Sequence, residues 1–227
     1  MDVLKFLNFA QMLPHDTERL LKAIISGKVL PGVTETLLKA RNSLCAAFEP
    51  DRTVKTNFEG KLLIKEKQVT ILKEWAKSEA CWLEGLPVGA MYLTRGGESQ
   101  VYQAPDTHFV LKLNDAVYYA TWLEYLDSLT IHNILFPDTA YELLGFIEIN
   151  GQLYALLSQP AILTEGQAAL TDIRKWLENN GFTNTKGNDY IHKKLGLILE
   201  DMHDENVLMM DDLLFFIDTV FYIVDPS

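Results

Sequence analysis

An α+β fold is what this sequence predicts, on three observations. The first third carries helix-period apolar stripes. The middle third breaks into short strand-like runs separated by turn residues. In the last third a helix gives way to short apolar runs. In the first third, residues 17–26 form a helix pattern with Gly27 just past its end. Residues 34–48 place Leu37, Leu38, Leu44 and Phe48 near one face, between Pro31-Gly32 and Pro50. A third pattern over residues 65–84 sets Val69, Leu72 and Ala76 on a stripe beside Ile71 and Trp75. These helices read as a packing segment over 1–84, with Trp75, Trp82, Trp122 and Trp176 as packing aromatics.

From Gly85 the texture changes. Residues 91–93, 99–102 and 109–113 read as strands, separated by Arg95-Gly96-Gly97-Glu98 and Ala104-Pro105-Asp106-Thr107. Asp115 is placed to cap a helix running to about Leu129. Residues 143–149 and 152–157 flank Asn150-Gly151, the strongest hairpin signal in the chain. After Pro160, Thr164-Glu165-Gly166-Gln167 matches a capping box, and Gly181 stands as a helix stop. Residues 187–194 show no pattern. Residues 195–199, 207–210 and 213–217 read as buried strands, the last two joined by Asp211-Asp212.

Composition narrows the function. Hydrophobic residues at 48% and charged residues at 22% suit a folded domain with a substantial core. Asp plus Glu outnumber Lys plus Arg by 31 to 20, a net charge of −11 that repels phosphate backbones, so nucleic acid is not an expected partner. The apolar stretch Leu213–Val224 is broken by Asp218 and is shorter than the roughly 20 residues of a membrane helix. Met1-Asp2-Val3-Leu4-Lys5-Phe6 does not read as a secretory leader, and two distant cysteines, Cys45 and Cys81, fit a reducing, cytoplasmic setting.

The chemistry concentrates in Asp201-Met202-His203-Asp204-Glu205-Asn206, followed twelve residues after Asn206 by Asp218. Phosphoryl transfer needs one carboxylate to orient a hydroxyl and accept its proton, and oxygen ligands for the Mg²⁺ that bridges nucleotide phosphates. An Asp, an Asn five residues on, and a second Asp beyond a hairpin supply that set. Upstream, Gly96-Gly97-Glu98-Ser99 is a turn whose backbone N–H groups phosphate oxygens can approach. Lys112 lies in the apolar run Phe109-Val110-Leu111-Lys112-Leu113, where its charge requires a partner. Phosphates and a helix carboxylate would serve, with Glu124 the candidate and Asp127 its rival. His203 reads as a support for the loop. Taken singly, Gly96-Gly97 is an ordinary hairpin turn and Asp201–Asn206 an ordinary polar turn; their order along the chain is what distinguishes them.

On these residues the chain resembles the protein-kinase-like superfamily, on its aminoglycoside-phosphotransferase side, and most of all the kinase domains of bacterial and phage polyvalent proteins. Asp201, His203 and Asn206 match the D-x-H-x-x-N catalytic loop, and Asp218 matches the metal-binding Asp. Gly96, Gly97, Glu98, Val101 and Tyr102 match the glycine loop, and Lys112 the strand lysine. The resemblance runs from about Gly85 onward. It implies a two-lobed fold, with a sheet-rich nucleotide lobe over 85–160 and a short catalytic lobe over 161–227. It further implies ATP and Mg²⁺ as cofactors, an adenine-receiving hinge near residues 157–161, and transfer to a hydroxyl acceptor on a protein or a small molecule. Asp201 would be the base and Asn206 and Asp218 the metal ligands. Gly96, Gly97, Ser99, Lys112 and Glu124 would form the nucleotide site. Thr219 replaces the Phe that follows the metal Asp in larger relatives, and no A-P-E element follows it. A catalytically inactive nucleotide-binding or interaction module is the alternative.

Overall fold

The computed structural model describes residues 15–48, 58–164 and 166–224, with side chains described from Arg19 and from Lys61 in the first two segments. Pro50 and Glu165 lie outside them. The α+β class stands, with five α-helices and several antiparallel sheets among the described residues. Helices α1 (His15–Ile25), α2 (Thr36–Ala47) and α3 (Phe58–Ser78) open the chain. In α2, Leu37, Ala40, Arg41, Leu44 and Cys45 are buried, a stripe at helical spacing. Arg41 is part of that stripe because it has partners. Its Nε lies 2.6 Å from Asp127 Oδ1, and its other nitrogens donate to the carbonyls of Ile24 and Lys28.

Helix α3 starts earlier and ends earlier than the periodicity predicts. Residues 81–83 leave the helix to pair with a strand: Phe146 N–H donates to Cys81 O, and Leu83 N–H to Phe146 O. Gly145 is required there, since a Cβ would stand 2.1 Å from the Cys81 carbonyl oxygen.

The middle of the chain forms one antiparallel sheet of β1 (Met91–Arg95), β2 (Ser99–Gln103), β3 (Phe109–Asn114), β4 (Glu142–Ile149) and β5 (Gln152–Pro160), in the order β1-β2-β3-β5-β4. Ile149 pairs with Gln152 across Asn150 (φ 52°) and Gly151 (φ 81°), the left-handed pair of a tight hairpin. Leu111, Leu113, Ile147 and Leu156 fill one face with Leu83 and Leu86. Leu143, Ala155 and Leu157 belong to a second core, with α2, α3 and α4 (Trp122–Leu135).

Helix α4 begins seven residues after Asp115. Asp115 accepts the Val117 N–H and Asn114 accepts the Ala116 N–H, so the chain turns tightly there. Thr121 is the cap: its hydroxyl accepts the Glu124 N–H, while the Glu124 carboxylate accepts that of Ala120.

The remainder comprises β6 (Gly166–Gln167), α5 (Leu170–Asn179), β7 (Thr183–Lys186), β8 (Asp189–His192), β9 (Leu197–Glu200), β10 (Val207–Met210), β11 (Leu213–Phe216) and β12 (Val220–Ile223). They form the sheets β11-β10-β6 and β12-β9-β8-β7. The expected capping box is replaced by strand β6. Thr164 caps no helix; its hydroxyl accepts the Gly166 N–H and lies 3.0 Å from the Met209 carbonyl oxygen. Helix α5 starts only at Leu170 and ends before Gly181 (φ 85°). The patternless 187–194 is the turn and second strand of a hairpin, and Val220–Ile223, read only as part of an apolar stretch, is a strand. A third core unites these elements around Phe136, stacked 4.4 Å from Phe216 between ring centroids.

Candidate active site

Two strand pairings converge on one place. Strand β12 runs antiparallel to β9 with Val220 opposite Glu200, so Asp201 and Thr219 leave the two strands at the same end. The β10–β11 hairpin, turned by Asp211 (φ 49°) and Asp212 (φ 60°), places Val207 opposite Phe216. Its ladder extends by one bond, from Ile217 N–H to Asn206 O at 3.0 Å. Asp201, Asn206 and the Ile217-Asp218-Thr219 segment are thereby brought together from distances in sequence that side-chain chemistry alone could not span.

The catalytic-loop spacing has a local reason. Asp201 adopts φ 61°, and Met202 donates its N–H to Asn188 O. The Asn206 amide nitrogen donates to Asp201 O at 2.8 Å, closing the loop on itself. His203 Nδ1 accepts the Glu205 N–H, and its Nε2 lies 3.4 Å from Asp201 Oδ2 and 3.2 Å from the Asn206 amide nitrogen. The histidine is a loop support, as its position suggested.

Lys112 is buried, and its partner differs from the expected one. Its Nζ lies 3.1 Å from Asp218 Oδ1 and donates to Ile217 O at 2.9 Å. Glu124 is engaged at the start of α4 and lies 3.9 Å from Lys61; the rival Asp127 is paired with Arg41. Helix capping and a buried ion pair have claimed both carboxylates.

The Ile217 carbonyl also accepts from Tyr141 Oη at 2.6 Å and Gln159 Nε2 at 3.1 Å, so three donors meet on one oxygen. Behind it, His132 Nε2 donates to Thr139 O (2.9 Å), so its Nδ1 accepts from the Thr219 hydroxyl (2.7 Å). Burial pushes the His132 pKa down to about 4, so the ring is neutral. Sequence reasoning missed Tyr141, Gln159, His132 and Thr139. For two of them the signal was there in outline: His132 and Gln159 are polar side chains in otherwise apolar runs near the ends of α4 and β5.

The glycine turn lies at the β1–β2 connection, closed by Gly96 N–H to Ser99 O at 2.9 Å. Both glycines are exposed, neither has positive φ, and a Cβ on Gly97 would meet nothing within 4 Å. The fold therefore does not itself demand glycine there. Ser99 is held by Asn114, whose amide donates to its hydroxyl at 3.0 Å. Glu98, from the same turn, faces the cluster. Burial, then repulsion from Asp218 and Asp201, raises its pKa to about 7 against the opposing pull of Lys112. In β5, Leu157 and Ser158 pair on both sides, with β3 and β4. Gln159 and Pro160 pair only with β3, so the open backbone edge begins at Gln159, inside the range read as the hinge.

This donor set fits a magnesium ion. The Asn206 amide nitrogen is committed to Asp201 O, which leaves its oxygen as a neutral ligand. The Asp218 carboxylate is half exposed, with one oxygen on Lys112. Mg²⁺ is ordinarily held through one or two such oxygens plus substrate phosphates.

A family described as the serine/threonine/tyrosine kinase found in polyvalent proteins matches residues 65–225, more than two-thirds of the chain. The chain belongs to this family. No curated protein and no solved structure matches it. The polyvalent-protein kinase match begins in α3, about twenty residues before the motif resemblance, and the structure gives that helix a task. Lys65 Nζ donates to the carbonyls of Ala116 (2.6 Å) and Tyr119 (2.8 Å), while Gln68 Oε1 accepts the N–H groups of Trp122 (2.7 Å) and Leu123 (3.2 Å). The connection from the lysine strand to α4 is thus held by α3. The chain carries a kinase-like domain, and none of its described helices is long and apolar enough to cross a membrane.

Proposed function

We propose that this domain is an ATP- and Mg²⁺-dependent phosphotransferase that moves the γ-phosphoryl group of ATP to a hydroxyl acceptor. The observation that supports the reading is the Lys112–Asp218 contact at 3.1 Å, an ammonium suited to phosphate beside a carboxylate suited to a metal ion. In this reading the β1–β5 sheet is the nucleotide lobe and residues 161–224 the catalytic lobe, with adenine received along the open edge from Gln159. Gly96 and Gly97 let backbone N–H groups approach phosphate oxygens, and Ser99 lines the start of that cradle. Lys112 would bind α- and β-phosphate oxygens, and Asp218 and Asn206 would supply the oxygen ligands of the Mg²⁺. A bound Mg²⁺ neutralises charge on the phosphates. Asp201 accepts the acceptor hydroxyl's proton as its oxygen bonds to the γ-phosphorus, and ADP leaves. Rate enhancement then comes from positioning and charge neutralisation. Glu124 acts from a distance, by capping α4. The family description names serine, threonine and tyrosine, so a protein hydroxyl is the first acceptor class to test; a small-molecule hydroxyl is the second.

Mg·ATP should raise the melting temperature of the wild type and not that of Asp218→Ala. Radiolabel should move from [γ-³²P]ATP to an acceptor pool or to the chain itself, and Asp201→Ala should abolish the transfer. Equal thermal shifts in wild type and Asp218→Ala would remove the metal assignment. Binding without transfer in the wild type would assign the inactive nucleotide-binding alternative.

A further inference from the structure

Both carboxylates of α4 that face the sheet's lysine in sequence are occupied elsewhere, yet Lys112 is buried and held. The structure points to what holds it. Tyr141 follows the short 3₁₀ turn Pro137–Thr139 and is pinned to α4 at its backbone, where Asn133 both accepts the Tyr141 N–H and donates to the Tyr141 carbonyl, each at 2.7 Å. Its ring lies under the ammonium, with Lys112 Nζ 5.4 Å from the centroid. Its hydroxyl donates to Ile217 O, the same oxygen that Lys112 reaches, and lies 3.4 Å from Asp218 Oδ1.

We infer that Tyr141 is the positioning residue for Lys112, registering the lysine against the metal aspartate in place of a helix carboxylate. This rests on the reading of Lys112 as the phosphate-binding group. The ring face attracts the ammonium through its quadrupole, an attraction that grows where water is excluded. The hydroxyl fixes the backbone one residue before Asp218. One side chain, held by α4 through Asn133, therefore sets both halves of the pair. A neutral partner has a further consequence. Were Asp218 to turn to a cation, neither α4 carboxylate would compete with the phosphates for the lysine, because Glu124 and Asp127 are engaged elsewhere.

The test separates ring from hydroxyl. In isotope-labelled protein, with the Lys112 signal assigned by its loss in Lys112→Arg, the Lys112 Hε protons show an upfield ring-current shift. Tyr141→Phe keeps it and Tyr141→Leu loses it. In Mg·ATP titrations Tyr141→Leu weakens binding about tenfold and Tyr141→Phe less than about threefold, the spread expected when a desolvated cation–π contact is removed. An unshifted Lys112 in the wild type, a shift that survives Tyr141→Leu, or equal weakening by both variants would overturn the inference. The shift needs no nucleotide. Wild-type protein that shows it but does not bind Mg·ATP would sink the proposed function and leave Tyr141 as the lysine's partner.

Discussion

The two sides of the candidate cleft are built in opposite ways. On one side, Ile217-Asp218-Thr219 is gripped from several directions: Lys112 from β3, Tyr141 from the segment before β4, Gln159 from β5 and His132 from α4. On the other, strand β1 is exposed at every residue, and its turn glycines are closed by a single hairpin bond and leave room around Gly97. The Asp218 side is set by the fold itself. The glycine side, in the proposed reading, would be left for a nucleotide to complete. If the domain transfers phosphoryl groups as proposed, the buried polar bonds lie where a displaced carboxylate would matter most, because that chemistry depends on positioning.

The strongest way to break the preorganised side is to remove what seats α4. Arg41, itself fully buried, ties α1, α2 and α4 together through a 2.6 Å bond to the buried Asp127 and bonds to the Ile24 and Lys28 carbonyls. Arg41→Ala takes the guanidinium from a carboxylate that is almost fully buried, a change of about 3–5 kcal/mol. Urea unfolding should show a loss of that size. Loss below about 1 kcal/mol would mean that α4 is held mainly by apolar packing.

Next comes acid. His132 is fully buried with a pKa of about 4 against 6.5 for the free side chain. Its folded-state pKa is the lower one, so between these values the unfolded chain binds a proton that the native state refuses. Stability is therefore at its full value above about pH 6.5 and falls as pH drops toward 4, by about 3 kcal/mol in all. Carboxylates titrate in the same range, so the difference between wild type and His132→Gln isolates the histidine. Urea midpoints from pH 7 to 4 should fall more steeply in the wild type. Parallel curves would show that the ring carries no such penalty.

The same division explains what was legible in the sequence. The hairpin through Asn150-Gly151 and the helices stopped by Gly27 and Gly181 could be read because a left-handed residue or an apolar stripe announces itself locally. The Asp201–Asn206 loop was legible for the same reason, since the bonds that close it on itself span at most five residues, although Asp201 and Met202 are also tied to Asp189 and Asn188. Strand β6 was not. Its two residues are a strand only because β10 lies beside them, and Thr164 offers a hydroxyl that suits a cap equally well. The partner of Lys112 was hidden because its bonds cross 105 residues to Ile217, and helix period favours Glu124 until the cap at Thr121 is known. Tyr141 and His132 carried no motif; only the close packing of α4 against the Ile217 segment gives them a role.

The smallest structural perturbation gives the sharpest comparison. A methyl group added at Gly97 would meet nothing within 4 Å, and the residue does not have positive φ. Gly97→Ala should leave stability within about 1 kcal/mol of the wild type, leaning toward a gain, because alanine restricts the unfolded chain more than glycine does. If the exposed turn is where phosphates approach the backbone, the same methyl group stands in their way, and Mg·ATP affinity should fall at least about threefold while the melting temperature of the free protein hardly moves. Isothermal titration beside a thermal melt reads both. A variant that melts and binds as the wild type does would make Gly96-Gly97 an ordinary hairpin turn, and the open side of the cleft would then have to hold phosphate by Lys112 alone.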